Sequence, residues 1–319
     1  AGFEYLKHER ANPHLELMDQ DILYHLALGS ESHDLVEMFG DVKFVCMGGT
    51  PKRAEQFAQY MMHEIGHKLP TGTTLVDISQ YSYRYAMYKV GPILSVSHGM
   101  GIPSVGILLH EIIKLMYHAK VRNPIFFRIG TCGGIGVDGG TVVISEEAVD
   151  GLGQPSFDLV IFYRVIRKSR AIPVACRVLS PLKWKCCVFD FPASGQGRMD
   201  GAFCCFNEKE KMAYLEHLRD EGVVNIEMES LAFTALTHHA GIRSAVVCVT
   251  LLDRLKGDQI NYPKEVLDEW QQRPQKLVSS YIKKFLKKKG RVINDNFGNI
   301  AVKSPRRFKL VQQESESYD

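Results

Sequence analysis

The chain has 319 residues, a formal net charge of +3, and 45% hydrophobic against 24% charged residues. These are the proportions of an ordinary globular protein, long enough for one large domain or two small ones, and the charge is too small to argue for nucleic acid or a membrane surface as partner. No apolar run approaches the roughly 20 residues a membrane helix needs, the polar opening stretch AGFEYLKHERANPHLELMDQD has no signal-peptide core, and eight cysteines without a CxxC pair suggest neither zinc nor redox chemistry, so a reduced, cytoplasmic protein is expected.

Taken in chain order, VKFVCMG (42–48) is a short β-branched apolar run ending at glycine and reads as a buried strand. RAEQFAQYMMHEIG then carries apolar residues at helical spacing and stops at Gly66. PILSVSHGMG (92–101) repeats the strand pattern, and VGILLHEIIKLMYHA (105–119) is a second amphipathic helix. NPIFFRIGTCGGIG (123–136) is strand then glycine loop, followed by TVVISEEAV as a further strand. NIEMESLAFTALTHHAG mixes loop and helix, SAVVCVTLL (244–252) is a continuous buried strand, and KEVLDEWQQ and KLVSSYIKKFLKKK close the core as helical stretches interrupted by Pro274. Strands alternating with helices, and lacking in–out polarity, imply an α/β sandwich in one domain. Between about 154 and 193 the periodicity fades, and Pro155, Pro173, Pro181 and Pro192 discourage one long helix. The stretch from Gly290 onward is polar, mixed in charge and expected to be a flexible tail.

Three strands run into glycine-bearing loops that also carry arginine: GGTPKR (48–53), RIGTCGG (128–134) and, farther on, GQGR (195–198). A glycine turn after a strand lets backbone N–H groups approach an anion, and arginine adds a bidentate partner. Read singly, each loop could equally be a turn with a solvated arginine. Arg128 is the stronger candidate, because it lies inside the apolar strand IFFRIG, where an unpaired charge is costly. In GQGR, Gln196 can donate and accept while Arg198 only donates, which suits a flat ring with adjacent carbonyl and N–H groups. In IEMES, Glu227 and Glu229 cannot share a helix face, but on an extended chain both point one way and could accept from the vicinal hydroxyls of a ribose. The competing reading is acids at a helix start, favoured by the macrodipole, and the chemistry alone leaves both open. His25 is apolar-flanked, and His98 ends a strand beside glycines. No histidine has partners at metal spacing, and no GxSxG supports a serine hydrolase.

Together the runs DILYHLALG, FGDVKFVCMGGTPKR, YRYAMYKVGPILSVSHGMGIPS, FRIGTCGGIG, GQGRMDGA, NIEMES, VTLLDRLKGDQI and WQQRPQ resemble, in the same order, the uridine phosphorylases of the nucleoside phosphorylase family, over roughly residues 12–153 and 195–288. The resemblance implies a single-domain αβα sandwich around a mixed, partly barrel-like central sheet. The implied domain spans residues 1–288, with 154–194 atypical and 289–319 as the tail. It also implies the reversible phosphorolysis of uridine to uracil and ribose 1-phosphate, in pyrimidine salvage or catabolism. No cofactor is implied beyond inorganic phosphate as co-substrate, and no nucleic acid or membrane partner.

Carried over motif by motif, Gly49 and Arg53 resemble one side of a phosphate site, with Arg128 and Thr131 on the other. Arg84 is similar to an arginine supplied by the neighbouring subunit, and His25 to a second such residue near the ribose 5′-hydroxyl, which implies a homodimer with shared sites. Gln196, Arg198, Phe191 and Ile260 correspond to the uracil site, with Leu252 and Arg254 near the base. Glu227, Met228 and Glu229 correspond to the ribose site, Glu229 as the main hydroxyl partner. Arg53, Arg84, Arg128 and Arg198 are the implied catalytic set. The chain departs from the family at Cys132, where a serine is usual, and in KWKCCVFDFPASGQGR, where Phe191 stands one position out of register. A non-catalytic, dimerising paralogue that binds nucleosides is therefore the alternative, and thymidine or deoxyuridine are alternative substrates.

Overall fold

The computed structural model of the chain describes residues 12–161, 165–170, 184–188 and 196–288. The expectations for Phe191 and for the tail from 289 concern residues outside these. The chain enters with a two-stranded ribbon, β1 (Ile22–Leu23) and β2 (Leu28–Gly29), and a short helix α1 (Leu35–Phe39). The expected alternation follows: β3 (Phe44–Gly48), α2 (Pro51–Glu64), β4 (Met87–Val90), β5 (Ile93–Ser97), α3 (Gly101–His118), β6 (Ile125–Gly134) and β7 (Val142–Val149). A hairpin of β8 (Ser156–Ile161) and β9 (Val165–Arg170) precedes β10 (Trp184–Val188), and then come α4 (Glu208–Asp220), β11 (Val223–Glu227), α5 (Ser230–His239), β12 (Arg243–Asp253) and α6 (Lys264–Lys288).

Eight strands form one mixed sheet in the order β11-β10-β7-β12-β6-β3-β5-β4. Its closure comes from β6. Over Ile125–Ile129 this strand lies parallel to both β3 and β12. At its far end, Gly133 and Gly134 pair antiparallel with Ile226 and Asn225 of β11, so one half of the sheet curls into a barrel. The mixed, partly barrel-like sheet expected from the resemblance is therefore present. Strand alternation sends Phe126 and Val246 to one face, against α3 and α5, and Phe127 and Val247 to the other, against α2 and α6. Because both faces are covered, the strands read as unbroken apolar runs.

Two regions differ from the sequence-based reading. Residues 264–288 form one helix through Pro274, although an interior proline costs about 3 kcal/mol; its face of Val278, Ile282 and Leu286 is buried against the sheet, and tertiary packing outweighs the lost hydrogen bond. The stretch beyond 154, where periodicity fades, holds the β8–β9 hairpin and a strand, β10, inserted in parallel between β7 and β11. Helix α4 lay between the quoted motifs, yet Asn207 and Glu210 announce it with a reciprocal capping box.

The parallel strands β3, β5, β6 and β12 end on one edge, carrying Gly48, Ser97, Thr131 and Thr250 with them. Crevices outside the carboxyl ends of such strands are where α/β sheets bind ligands. Since α6 covers one face of the sheet with a single apolar stripe, Ile282→Ala is expected to lower the unfolding free energy by about 2–5 kcal/mol, read as a shifted urea midpoint at unchanged m-value.

Candidate active site

The centre of the carboxyl edge is a buried charge cluster. Arg128, set inside an apolar strand, is 3% exposed and forms ion pairs with both Glu227 and Glu229. Its Nη1 also donates to Cys248 Sγ at 3.0 Å. Gly130 is the space that permits this: a Cβ there would stand 2.7 Å from Arg128 Nη1. Burial alone would discharge the guanidinium, but the two carboxylates outweigh it and hold the charge firmly.

Glu227 and Glu229 meet on Arg128 because the chain between them is neither strand nor helix. Strand β11 ends at Glu227 and α5 starts at Ser230, with Glu229 as its N-cap. The helix-start reading of IEMES thus applies to both acids. Glu227 Oε1 accepts the N–H groups of Glu229 at 3.0 Å and Ser230 at 2.5 Å, satisfying the start of α5. Glu229 Oε1 instead reaches across to the Gly101 N–H at 2.6 Å, at the start of α3. The two acids titrate apart: burial pushes Glu227 up to about 7. For Glu229 burial is outweighed by Arg128, His98 and the Gly101 N–H, which hold it down to about 2.

Arg53 lies in the first turn of α2, whose Thr50 caps the helix by accepting the Arg53 N–H. Its guanidinium, bonded to Gln271 of α6, lines a cavity with Gly48, Gly130, Thr131 and Gln275, over an apolar floor that includes Met47 and Phe57. Burial and the nearby charge of Arg128 both lower its proton affinity, so the two guanidiniums act on one region. Gly49 adjoins the same turn, its position for a Cβ lying 3.9 Å from Arg53 Nη1. Met228 is half-buried, with its Cε facing Gly101.

A second group surrounds the GQGR turn. Arg254, 3% exposed, donates to the carbonyls of Gln196 (3.0 Å) and Gly197 (3.2 Å) and pairs with Asp258 at 3.0 Å. Asp258 also takes Lys211 and the Met199 N–H, so one carboxylate ties the turn to α4 and β12. Arg198 is bidentate to Asp200, which Gln259 also contacts, while Ile260 is 42% exposed. Arg254, expected only near the base, is thus a strut under Gln196. Leu252 and Arg254 both pack on Gly133.

His25 and Arg84 lie elsewhere, on a shared surface. The ring of His25 packs edge-on against Tyr85, the neighbour of Arg84, and its Nδ1 is 2.6 Å from Glu111 of α3. Glu111 also accepts the His25 backbone N–H, so it sets both the turn and the ring. Tyr24, Tyr81, Tyr83 and Met100 are all strongly exposed. Among the described residues, no group of three or more His, Cys, Asp or Glu side chains is disposed to hold a metal ion, and no helix is long and apolar enough to cross a membrane. Gln271, Glu111 and Asp258 were not singled out in the sequence, although Gln271 and Asp258 fall in the family-like runs WQQRPQ and VTLLDRLKGDQI.

The profile of the Phosphorylase superfamily matches residues 43–182 and 192–283. The chain is 48% identical to uridine phosphorylase 2 of Homo sapiens over 86% of this chain and 90% of that protein. It is 36% identical to inactive uridine phosphorylase B of Schistosoma mansoni, over 86% and 95%. A crystal structure of uridine phosphorylase from Schistosoma mansoni in complex with uracil superposes with a TM-score of 0.80 at 36% identity, covering 89% of this chain and all of that one.

The opposed shifts have a pH consequence. With its pKa raised from 4.5 to about 7, Glu227 binds more protons folded than unfolded, so its contribution is full below 4.5 and is lost as pH rises through 7. His98, lowered from 6.5 to about 4, has the opposite sign: stability rises as pH climbs from 4 to 6.5. The wild-type slopes oppose each other, and Glu227→Gln is expected to expose a stability that increases with pH across this window, measured by denaturant unfolding at a series of pH values.

Proposed function

This chain belongs to the phosphorylase superfamily and, within it, to the uridine phosphorylases, and on that premise we propose that it cleaves uridine with inorganic phosphate, reversibly, to uracil and ribose 1-phosphate. The observation that carries the reading is the convergence of Arg53, Thr131 and the Arg128–Glu227–Glu229 cluster on the carboxyl edge of one sheet. Phosphate takes its place against Arg53, Arg128, Thr131 and the Gly49 backbone, and Arg84 of a second subunit completes the shell. Several cationic donors orient the dianion beneath the anomeric carbon. Glu229, ionised and beside Met228, accepts from the ribose hydroxyls, and Glu227 supports it by anchoring α5.

As the phosphate oxygen bonds to the anomeric carbon, the C–N bond breaks through a cation-like sugar that the phosphate and Glu229 stabilise. The bonding pair leaves with uracil as a delocalised anion, which the N–H groups of Arg198 and Gln196 favour, and a proton from solvent completes the base. Asp200 aims the Arg198 guanidinium, and Arg254 holds the Gln196 turn. The exposed tyrosines around His25 and Arg84 support a homodimer in which these two residues serve the partner's site. His25, oriented by Glu111, would meet the ribose 5′-hydroxyl there. Buried thiols at Cys46, Cys132, Cys186 and Cys248 suit a reducing cytoplasm.

Arg128→Ala would leave two carboxylates unpaired in the core, so Arg53→Ala is the cleaner test. It is expected to lower phosphate-dependent uracil release by about 10²–10³-fold in folded protein, whereas activity within a few-fold of wild type overturns the phosphate assignment. Thymidine and deoxyuridine are expected to react more slowly than uridine, and inosine not at all; turnover of inosine ahead of uridine would refute the uracil site. A second reading, a nucleoside-binding paralogue without turnover, is favoured by the guanidinium of Arg128 being bonded to both carboxylates. Uridine binding in calorimetry with no uracil released would establish it.

A further inference from the structure

His98 follows β5 immediately, where Gly99 and Gly101 take φ of +70° and +82° to turn the chain into α3. Its backbone is fully used. The His98 N–H donates to the Gly48 carbonyl at 2.7 Å, and its carbonyl accepts from Ser104 Oγ at 2.7 Å. Its ring is not: the residue is 1% exposed, and neither Nδ1 nor Nε2 has a partner in hydrogen-bond geometry. Leaving such a group unsatisfied costs on the order of 1–3 kcal/mol, so its retention calls for a physical reason.

The surroundings supply one. His98 adjoins Gly48, one of the residues lining the Arg53 cavity, and the charges of Arg128, Glu229 and Arg53 all act on its ring. Burial, followed by Arg128, lowers its pKa to about 4, so at neutral pH the ring is an uncharged imidazole. A neutral imidazole carries one N–H, and here that donor meets the Gly99 backbone only outside good hydrogen-bond geometry. Both arginines lower the proton affinity of the ring and Glu229 raises it. An anion entering between the arginines would face their guanidiniums and present a well-placed acceptor to the ring.

We propose that His98 is a further phosphate-contacting residue of this site, its ring donating an N–H to an oxygen of inorganic phosphate or of the sugar phosphate product. The inference rests on the phosphorylase reading above and adds a residue to it. A ribose hydroxyl is the competing acceptor, but Glu229 already offers the sugar an ionised partner, and two of the three charges acting on the ring are the arginines. A neutral donor also suits the position, since a third buried cation would repel Arg53 and Arg128 before phosphate arrives.

Steady-state kinetics of His98→Ala and His98→Gln test this, together with NMR of histidine-labelled wild-type protein titrated with inorganic phosphate. His98→Ala is expected to raise the KM for phosphate, and for ribose 1-phosphate in the reverse direction, by about tenfold or more. The KM values for uridine and uracil should stay within about twofold, and Gln, which keeps an N–H, should recover part of the loss. In the wild type one histidine ring resonance, assigned by its absence from His98→Gln, should shift on phosphate addition. A phosphate KM within twofold of wild type in folded His98→Ala overturns the proposal, as does a rise in the uridine KM alone, which places the ring at the sugar. Should neither variant fold, an NMR titration in which no histidine responds to saturating phosphate overturns it. Wild-type protein that shifts this resonance with phosphate but releases no uracil would defeat the uridine reading and leave the phosphate contact standing.

Discussion

The structure depends on one buried interaction, the guanidinium of Arg128 set between Glu227 and Glu229. Each of these ions pays several kcal/mol to leave water, and only close pairing with further hydrogen bonds repays it. That requirement dictates much of what surrounds the cluster. Glycine is needed at 130 so that the guanidinium can fold back along β6. The Glu227 carboxylate must also satisfy the start of α5, and Glu229 must reach the start of α3. Two helices and two strands are thereby fastened to one charge, at the edge of the sheet where parallel strands end.

The same arrangement separates two carboxyl groups that are nearly adjacent in sequence. Burial raises the proton affinity of Glu227 against the opposing pull of Arg128 and of its bond to Ser230, while Glu229 faces Arg128, His98 and a backbone donor and stays ionised. Pairs whose environments push their pKa values apart divide their roles in this way. Around the GQGR turn the logic is similar on a smaller scale. Asp258 gathers Arg254, Lys211 and the Met199 N–H, which gives the turn carrying Gln196 and Arg198 a rigid support.

Much of this was legible in the linear chain. The largely apolar strand-like runs at 42–48, 123–136 and 244–252 announced a sheet covered on both faces, because such strands lack in–out polar alternation. Arg128 betrayed itself as a charge in a strand with no water to solvate it. Other features could not be read. β10 was hidden because the composition around it offers no periodicity, and α6 ran through Pro274 because its packed face outweighs a local penalty. Glu111, Gln271 and Asp258 escaped notice since each acts on a residue at least 50 positions away or across a turn, where spacing carries no signal.

The residue types and their order thus decided the fold class, the glycine–arginine loops and the family. Those are properties of local pattern: periodicity sets which segments are strands, and glycine sets where backbone can approach an anion. The tertiary structure decided which charges share a partner. Whether Glu227 and Glu229 were helix-start acids or a pair at the site could not be settled along the chain, for the answer lies in Arg128, about 100 residues distant and on another strand. His98 makes the same point: its sequence context is a strand end beside glycines, and only packing reveals a buried ring without a well-placed acceptor among three charges. Electrostatic environment is a property of three-dimensional proximity and burial, and neither is encoded at a fixed spacing.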